Sequence, residues 1–506
     1  MFYQSTRGGG EMLASAGAIA KGLSEDGGLY VPVSFPQLSQ GTFSSMASMS
    51  YGERAAYIMG LFLDDFEADE LKRFASDAYS EPGFDHPAIA PVHRLDGNTY
   101  FLELWHGPTC AFKDMALQML PRLLPASLRK TGEKREVCIL VATSGDTGKA
   151  ALEGFCDVSG TRIMVFYPRD GVSDVQKLQM TSQTGGNVNV VAVEGNFDDA
   201  QTGVKAIFSD ESFRSQISGQ GYFLSSANSI NWGRLVPQIA YYVSAYCDLF
   251  VSGFINPSDK VNICVPTGNF GNILAGYYAE KIGIPVNKLI CASNSNDVLT
   301  DFINTGVYDK NRAFHTTVSP SMDILVSSNL ERLLFELSGK DGDAISGYMS
   351  ALSKTGRYEV PPAMKDELAR LFAGGWCSEE DTSRTIAQTF GKHNYLIDTH
   401  TAVAYKVLDD YRADTGDLTS AIVVSTASPY KFCDSVLAAL GQKAPAGGDA
   451  QIDMLKEYSG CAIPAPLSGL FHKNERFKET VPINAMKDAV QRFLAVTIPD
   501  YRSLSR

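Results

Sequence analysis

Between Val137 and Ser293 the chain repeats one pattern: a short apolar run, a turn, then a stretch with apolar positions at helical spacing. VCILVAT precedes GKAALEGFC, RIMVFYP precedes SDVQKLQMTSQTG, and VNVVAV precedes FDDAQTGVKAIF. Farther on, YFLSSAN leads into a long apolar helix, VNICVPTG into ILAGYYAEKIG, and KLICASN into VLTDFINTG. Apolar strands alternating with helices imply parallel sheet covered on both faces. The length accommodates two such sheets, or one divided by a cleft. AIVVSTAS, from Ala421, reads as one more buried strand returning to the sheet after a mostly helical stretch. The fold class is α/β with parallel sheets flanked by helices.

The flanks read differently. Residues 1–95 hold helical material around Tyr51–Tyr79 and a Pro/Gly-rich link, EPGFDHPAIAPVHRL, and are expected to form an N-terminal domain. Residues 96–435 are expected to form the main α/β region, a large domain with a smaller α/β subdomain at about 130–240. Within it, SMDILVSSNLERLLFELSG reads as the clearest helix of the stretch 321–415. Residues 436–506 read as a helical tail packing on the large domain, with a break at QKAPAGGDA.

Composition narrows the function classes. With 44% hydrophobic and 20% charged residues, the chain is neither disordered nor fibrous. Its net charge of −13, without a Lys/Arg run, argues against a nucleic-acid partner. Nine cysteines, an odd number without a CxxC pair, read as free thiols rather than disulfides or a metal site. VPQIAYYVSAYCDLFVSGFI is the most membrane-like stretch, but its Pro, Gln and Asp248 favour a buried helix. MFYQSTRGGGEM carries no signal or transit pattern, so a soluble cytoplasmic protein is expected.

Four groups of residues carry candidate chemistry. In HGPTCAFKDMALQMLP, Phe112, Met115, Ala116, Met119 and Leu120 form one helical stripe, with Pro108 before it and Pro121 closing it. Lys113 lies off that stripe in the first turn, where the helix dipole disfavours a cation. It is either a solvated surface lysine or, if buried, a neutral amine able to attack an aldehyde cofactor.

VPTGNFGNILAGYY places Gly268, Asn269, Phe270, Gly271 and Asn272 between strand and helix. That turn is either an ordinary βα connection or an anion cup of converging amides, most simply for a phosphate. VCILVATSGDTGKAA offers Thr143, Ser144, Gly145, Asp146 and Thr147 at a second helix start. Its glycine spacing and Ala150 rule out a P-loop, leaving a carboxylate or other small anion, or simple helix capping. SSANSINWGRLVPQ adds Asn228, Ser229, Asn231 and Arg234, with Arg234 either in a structural ion pair or binding phosphate or carboxylate.

Together with YQSTRGG, GLSEDGGLYVP, SPSMDILVSSNLERLLF, DTHTAVAYK and STASPYKF, these segments resemble the threonine synthase family over nearly the whole chain. The family is pyridoxal-phosphate-dependent, of fold type II, the tryptophan-synthase-β class. The resemblance implies that Lys113 carries pyridoxal 5'-phosphate covalently and that Gly268–Asn272 hold its phosphate. Thr426 would meet the ring nitrogen. Residues 143–147 would hold the substrate carboxylate, and Asn228, Ser229, Asn231 and Arg234 its phosphate. The substrate implied is O-phospho-L-homoserine, converted with water to L-threonine and phosphate. A lyase releasing 2-oxobutyrate from the same substrate is the alternative. No metal and no membrane or nucleic-acid partner is expected, and the assembly would be a monomer or homodimer. Two positions depart from the family pattern: Ser428 stands where His follows STA, and Thr399 where Pro is common.

Overall fold

A computed structural model describes residues 1–170 and 172–496. Two separate parallel sheets account for the repeating pattern. The larger has six strands in the order Phe372–Trp376, Val286–Ser293, Val261–Pro266, Ala421–Ser425, Thr99–Glu103 and Val92–Asp96. All pair in parallel except the last, a hairpin partner of Thr99–Glu103. The smaller has five parallel strands in the order Thr480–Pro482, Val188–Glu194, Thr161–Pro168, Glu136–Ala142 and Tyr222–Ser225. The central strands are buried along their length, which is why their sequences are continuously apolar rather than alternating.

The apolar helix Trp232–Val251 is a core element. Trp232 packs against the rings of Tyr3, Phe62 and Tyr278, tying the N-terminal segment to the main body. Asp248, the charge that argued against a membrane span, pairs with Arg54 Nη1 at 2.5 Å. Among the described residues no helix is long and apolar enough to cross a membrane.

Three expectations are corrected. The first concerns the lysine segment. Instead of one helix closed by Pro121, there is a one-turn helix, Asp114–Leu117, followed by a second, Leu120–Lys130, which Pro121 helps to open. Proline lacks an N–H and costs least in a helix's first turn, where no intrahelical acceptor awaits that donor, so Pro121 suits the opening of the second helix. Second, SMDILVSSNLERLLFELSG is not helical throughout. A 3-10 turn covers Pro320–Met322 and the helix starts only at Leu330. Asp323 accepts hydrogen bonds from Asn294 Nδ2 (2.7 Å), Asn296 Nδ2 (3.0 Å) and Thr317 Oγ1 (2.7 Å), contacts that compete with helix formation. Third, the C-terminal tail does not pack only on the large domain. Thr480–Pro482 extends the smaller sheet beside Val188–Glu194, and the helix Met486–Ala495 packs there too. Residues 497–506 of that tail lie outside the described residues.

Candidate active site

Parallel strands point their C-terminal ends the same way, and ligands of open α/β sheets bind there. Gly268 follows Val261–Pro266, Thr426 follows Ala421–Ser425, Thr143 follows Glu136–Ala142, and the 226–231 turn follows Tyr222–Ser225. Lys113 is latched beside Thr426, because the Phe112 N–H donates to the Thr426 carbonyl at 2.8 Å.

Lys113 is buried, as the chemical reading of that lysine required. Its Nζ donates to Ser321 Oγ at 3.1 Å and lies 3.6 Å from Asp146 Oδ2. Burial, with Arg234 and Lys431 adding repulsion, brings its pKa down to about 8 against the opposing pull of Asp146.

The 268–272 turn forms an open cup. Phe270 adopts a left-handed conformation (φ 63°) and the helix Gly271–Lys281 begins immediately after it. Among the described residues, the backbone N–H groups of Gly268 through Ile273 donate to no acceptor. Their carbonyls are held from outside. Ser327 Oγ donates to the Gly268 carbonyl at 2.8 Å, and Asn329 Nδ2 to the Asn269 carbonyl at 3.0 Å. Asn272 accepts from the hydroxyls of Tyr241 (2.6 Å) and Tyr242 (2.5 Å), leaving its buried Nδ2 without a partner among the described residues. At Gly268 a Cβ would sit 2.6 Å from the Ser321 carbonyl oxygen, so only glycine allows this approach.

The 143–147 loop divides its groups. Thr143 Oγ1 braces the turn by accepting from the N–H of Gly145 (3.0 Å) and Gly148 (2.9 Å). Gly145 has φ 133° and stands against Gln176, a conformation and a closeness that exclude a side chain. The N–H groups of Ser144, Asp146 and Thr147 remain open among the described residues. The Asp146 carboxylate turns into the protein: Oδ1 lies 2.8 Å from Lys431 Nζ and accepts from Gln176 Nε2 at 2.9 Å. Burial pushes this carboxyl up, but Lys431 and Lys113 together hold it well below the usual carboxylate range.

In the 228–234 group the side chains also separate. Asn231 caps the helix Trp232–Val251 through Gly233 N (2.8 Å) and donates to the Ile19 carbonyl (3.0 Å), so its amide is committed structurally. Ser229 Oγ accepts from Asn329 Nδ2 at 2.8 Å. Asn228 keeps its side chain partly exposed. Arg234 is buried, donates only Nη1 to the Ala227 carbonyl (2.6 Å), and has no carboxylate partner among the described residues. Burial alone lowers its pKa to about 10.

Sequence reasoning had quoted, but given no role to, the segments that assemble these groups. Ser321 and Lys431 touch the lysine and its aspartate. Asn329 joins the 268–272 turn to Ser229. Arg332 clamps Asn329 through Nη1 to Oδ1 (2.5 Å), and donates to the Ile230 carbonyl (2.7 Å) and the Tyr30 carbonyl (3.0 Å). Arg7 in turn grips Glu331 with two bonds, 2.9 and 3.0 Å. The signal that could have found them is the run of Ser, Asn and charged residues inside an otherwise apolar helical pattern.

Family models named for the threonine synthase N terminus, for pyridoxal-phosphate dependent enzymes and for the threonine synthase C-terminal region match residues 2–79, 84–356 and 401–494. The threonine synthase of Pseudomonas aeruginosa is 41% identical over 94% of this chain and 95% of its own length. This chain belongs to the threonine synthase family. The threonine synthase-like 1 protein of Pongo abelii is 40% identical over 94% of this chain, which spans 65% of that longer relative. The structure of a PLP-bound threonine synthase from Brucella melitensis matches with a TM-score of 0.86 at 37% identity, covering 98% of this chain and all of that one. The architecture is thus fold type II, and the cofactor is pyridoxal phosphate.

The residues present fit that cofactor. The amides of 268–273 and the unpaired Asn272 Nδ2 suit a phosphate, and Lys113 is a buried amine within the same cleft. Thr426 is buried, and its hydroxyl makes no hydrogen bond among the described residues. The two departures from the family pattern are accommodated locally. Thr399 occupies the first position of its helix and donates Oγ1 to the Val318 carbonyl at 2.8 Å. Ser428 caps the turn Pro429–Phe432, accepting from Tyr430 N at 3.4 Å.

Proposed function

We propose that this chain is a threonine synthase: it removes phosphate from the γ-carbon of O-phospho-L-homoserine and adds water at the β-carbon to give L-threonine. One observation carries the reading. Asn329 Nδ2 contacts both Ser229 Oγ (2.8 Å) and the Asn269 carbonyl (3.0 Å), so the group read as the substrate's phosphate site adjoins the turn read as the cofactor's, which supports two anions side by side. A cofactor with one phosphate fills one site; a phosphorylated substrate is needed for the other.

When bound, pyridoxal phosphate supplies an aldehyde that captures amines and a ring that accepts the electron pair released at the neighbouring carbon. In this assignment Lys113 Nζ holds the cofactor, the 268–273 amides hold its phosphate, and Thr426 Oγ1 meets its ring nitrogen. A hydroxyl there does not enforce a protonated ring, so electrons can flow back toward the γ-carbon. The N–H groups of Ser144, Asp146 and Thr147 orient the substrate carboxylate. Arg234, with Asn228 and Ser229, binds the substrate phosphate and stabilises it as it leaves. Lys113, once displaced by the substrate amine, removes the α-proton and moves a proton at the β-carbon. A pKa near 8 keeps a useful fraction of that amine neutral near pH 7. Although the whole chain is acidic, Lys113, Lys431 and Arg234 outnumber Asp146 within the cleft.

The test is direct. Purified protein loaded with pyridoxal phosphate is incubated with O-phospho-L-homoserine, and threonine, 2-oxobutyrate and inorganic phosphate are quantified. Threonine equimolar with phosphate is expected. Phosphate accompanied by 2-oxobutyrate, or no phosphate release, would overturn the assignment.

A further inference from the structure

We propose that Ser321, Asp146 and Lys431 form a cradle that receives Lys113 in its protonated form, holding the abstracted proton until it is returned. The inference rests on Lys113 acting as the base of the proposed reaction. None of the three side chains is needed to bind substrate; they are positioning residues that act through the lysine.

The hydrogen-bond directions carry the argument. Ser321 Oγ donates its single proton toward Asp146 Oδ2 at 3.4 Å. Its lone pairs therefore face Lys113 Nζ, 3.1 Å away. Asp146 Oδ2 is itself 3.6 Å from that nitrogen. An ammonium at Nζ gains a hydroxyl acceptor and an anion together, whereas a neutral amine gains little from the anion.

The cradle is fixed from behind. The Ser321 N–H donates to His400 Nε2 at 3.2 Å, and His400 Nδ1 meets Asp398 Oδ1 at 2.9 Å. That arrangement places the imidazole proton on Nδ1. The Ser321 carbonyl abuts Gly268, so the turn that holds the cradle also shapes the phosphate cup.

Lys431 sets the strength of the cradle. It is fully buried and uses its three donors on Asp146 Oδ1 (2.8 Å), the Thr109 carbonyl (2.9 Å) and Gln179 Oε1 (3.1 Å). Asp146 alone would keep Lys113 permanently charged and useless as a base. Paired with Lys431, and with Arg234 as the remaining charge acting on Lys113, it leaves the amine poised between its two states. In the step itself, the α-carbon–hydrogen bond breaks and an N–H bond forms at Nζ, while the electron pair stays on the substrate side. The return of the proton reverses this.

Three variants of the full-length protein test the cradle. In cofactor-free protein, the pH midpoint for acetylation of Lys113 by acetic anhydride is read by mass spectrometry. The wild-type midpoint should lie near 8. Ser321→Ala should lower it by about one pH unit, a roughly tenfold change in the amine-to-ammonium ratio, and Asp146→Asn by at least as much. Lys431→Met should raise it, because Asp146 is then uncompensated. In loaded enzyme, Ser321→Ala should lower kcat about tenfold with KM within about twofold. An unmoved or raised midpoint in Ser321→Ala or Asp146→Asn, or an unmoved or lowered one in Lys431→Met, overturns the proposal. If Lys431→Met does not fold, the two remaining variants decide. The midpoints need no substrate, so both shifts in a chain that leaves phosphohomoserine untouched would sink the substrate assignment and not the cradle.

Discussion

Arg234 offers the sharpest separation of binding from folding. It is buried with one hydrogen bond to a carbonyl and no carboxylate partner among the described residues. Burial takes its pKa from 12.5 to about 10, which corresponds to about 3 kcal/mol against folding at any pH below that range. Arg234→Met keeps most of the side-chain volume and removes the charge. The lost hydrogen bond costs about 1–2 kcal/mol, so the variant should be as stable as the parent or more stable by about 1–2 kcal/mol. Catalysis should move the other way. Two charge-assisted bonds to a phosphate contribute about 3–5 kcal/mol, so kcat/KM for O-phospho-L-homoserine should fall about 10²- to 10⁴-fold. Urea melts and a phosphate-release assay measure the two effects on one preparation. A variant destabilised by more than about 2 kcal/mol, or with kcat/KM within threefold of the parent, refutes the reasoning: Arg234 would then be a structural anchor.

Other outcomes follow from the same geometry. Lys113→Ala should abolish turnover and the borohydride-fixable chromophore in a chain that still folds, since Asp146 keeps Lys431 as its partner; residual turnover at the parental rate would dismiss this lysine. Gly268→Ala should weaken pyridoxal phosphate binding at least tenfold, measured by fluorescence titration, because its Cβ would sit 2.6 Å from the Ser321 carbonyl and force the cup apart. His106 lies 2.7 Å from both Asp85 Oδ1 and Glu103 Oε2, and despite burial these carboxylates raise its pKa to about 9. A raised folded-state pKa stabilises fully below about pH 6.5 and is lost as pH climbs through 9. Stability should therefore fall by up to about 3 kcal/mol over that window, and His106→Gln should flatten the fall in pH-dependent urea melts.

Much of this molecule is legible in local patterning. The alternation of apolar strands and helices from Val137 onward reports a parallel sheet because such strands are buried on both faces, and burial is written one residue at a time. The glycine turn at 268 is legible for the same reason, since a backbone that approaches another backbone closely excludes a Cβ. The helix expected over Ser321–Gly339 shows the limit. Its local propensity is helical, but Asp323 is claimed by Asn294, Asn296 and Thr317, and the chain turns aside. Asn231 looked like a ligand and proves to be a helix cap, while Asp146 presents its amide and withdraws its carboxylate.

What the sequence alone determined is the inventory: a lysine at a helix start, two glycine-rich turns between strand and helix, an arginine after a strand, and the family motifs that contain them. What only the tertiary structure decided is the state of those groups. Lys113 has its pKa brought down to about 8 because burial, Arg234 and Lys431 together outweigh the opposing pull of Asp146, and those three residues come from three other segments. Arg234 lies buried with one carbonyl partner and no carboxylate beside it among the described residues, which is what suits it to the anion proposed for it. Charge interactions act through space and strengthen as solvent is removed, so they depend on which distant residues the fold brings together.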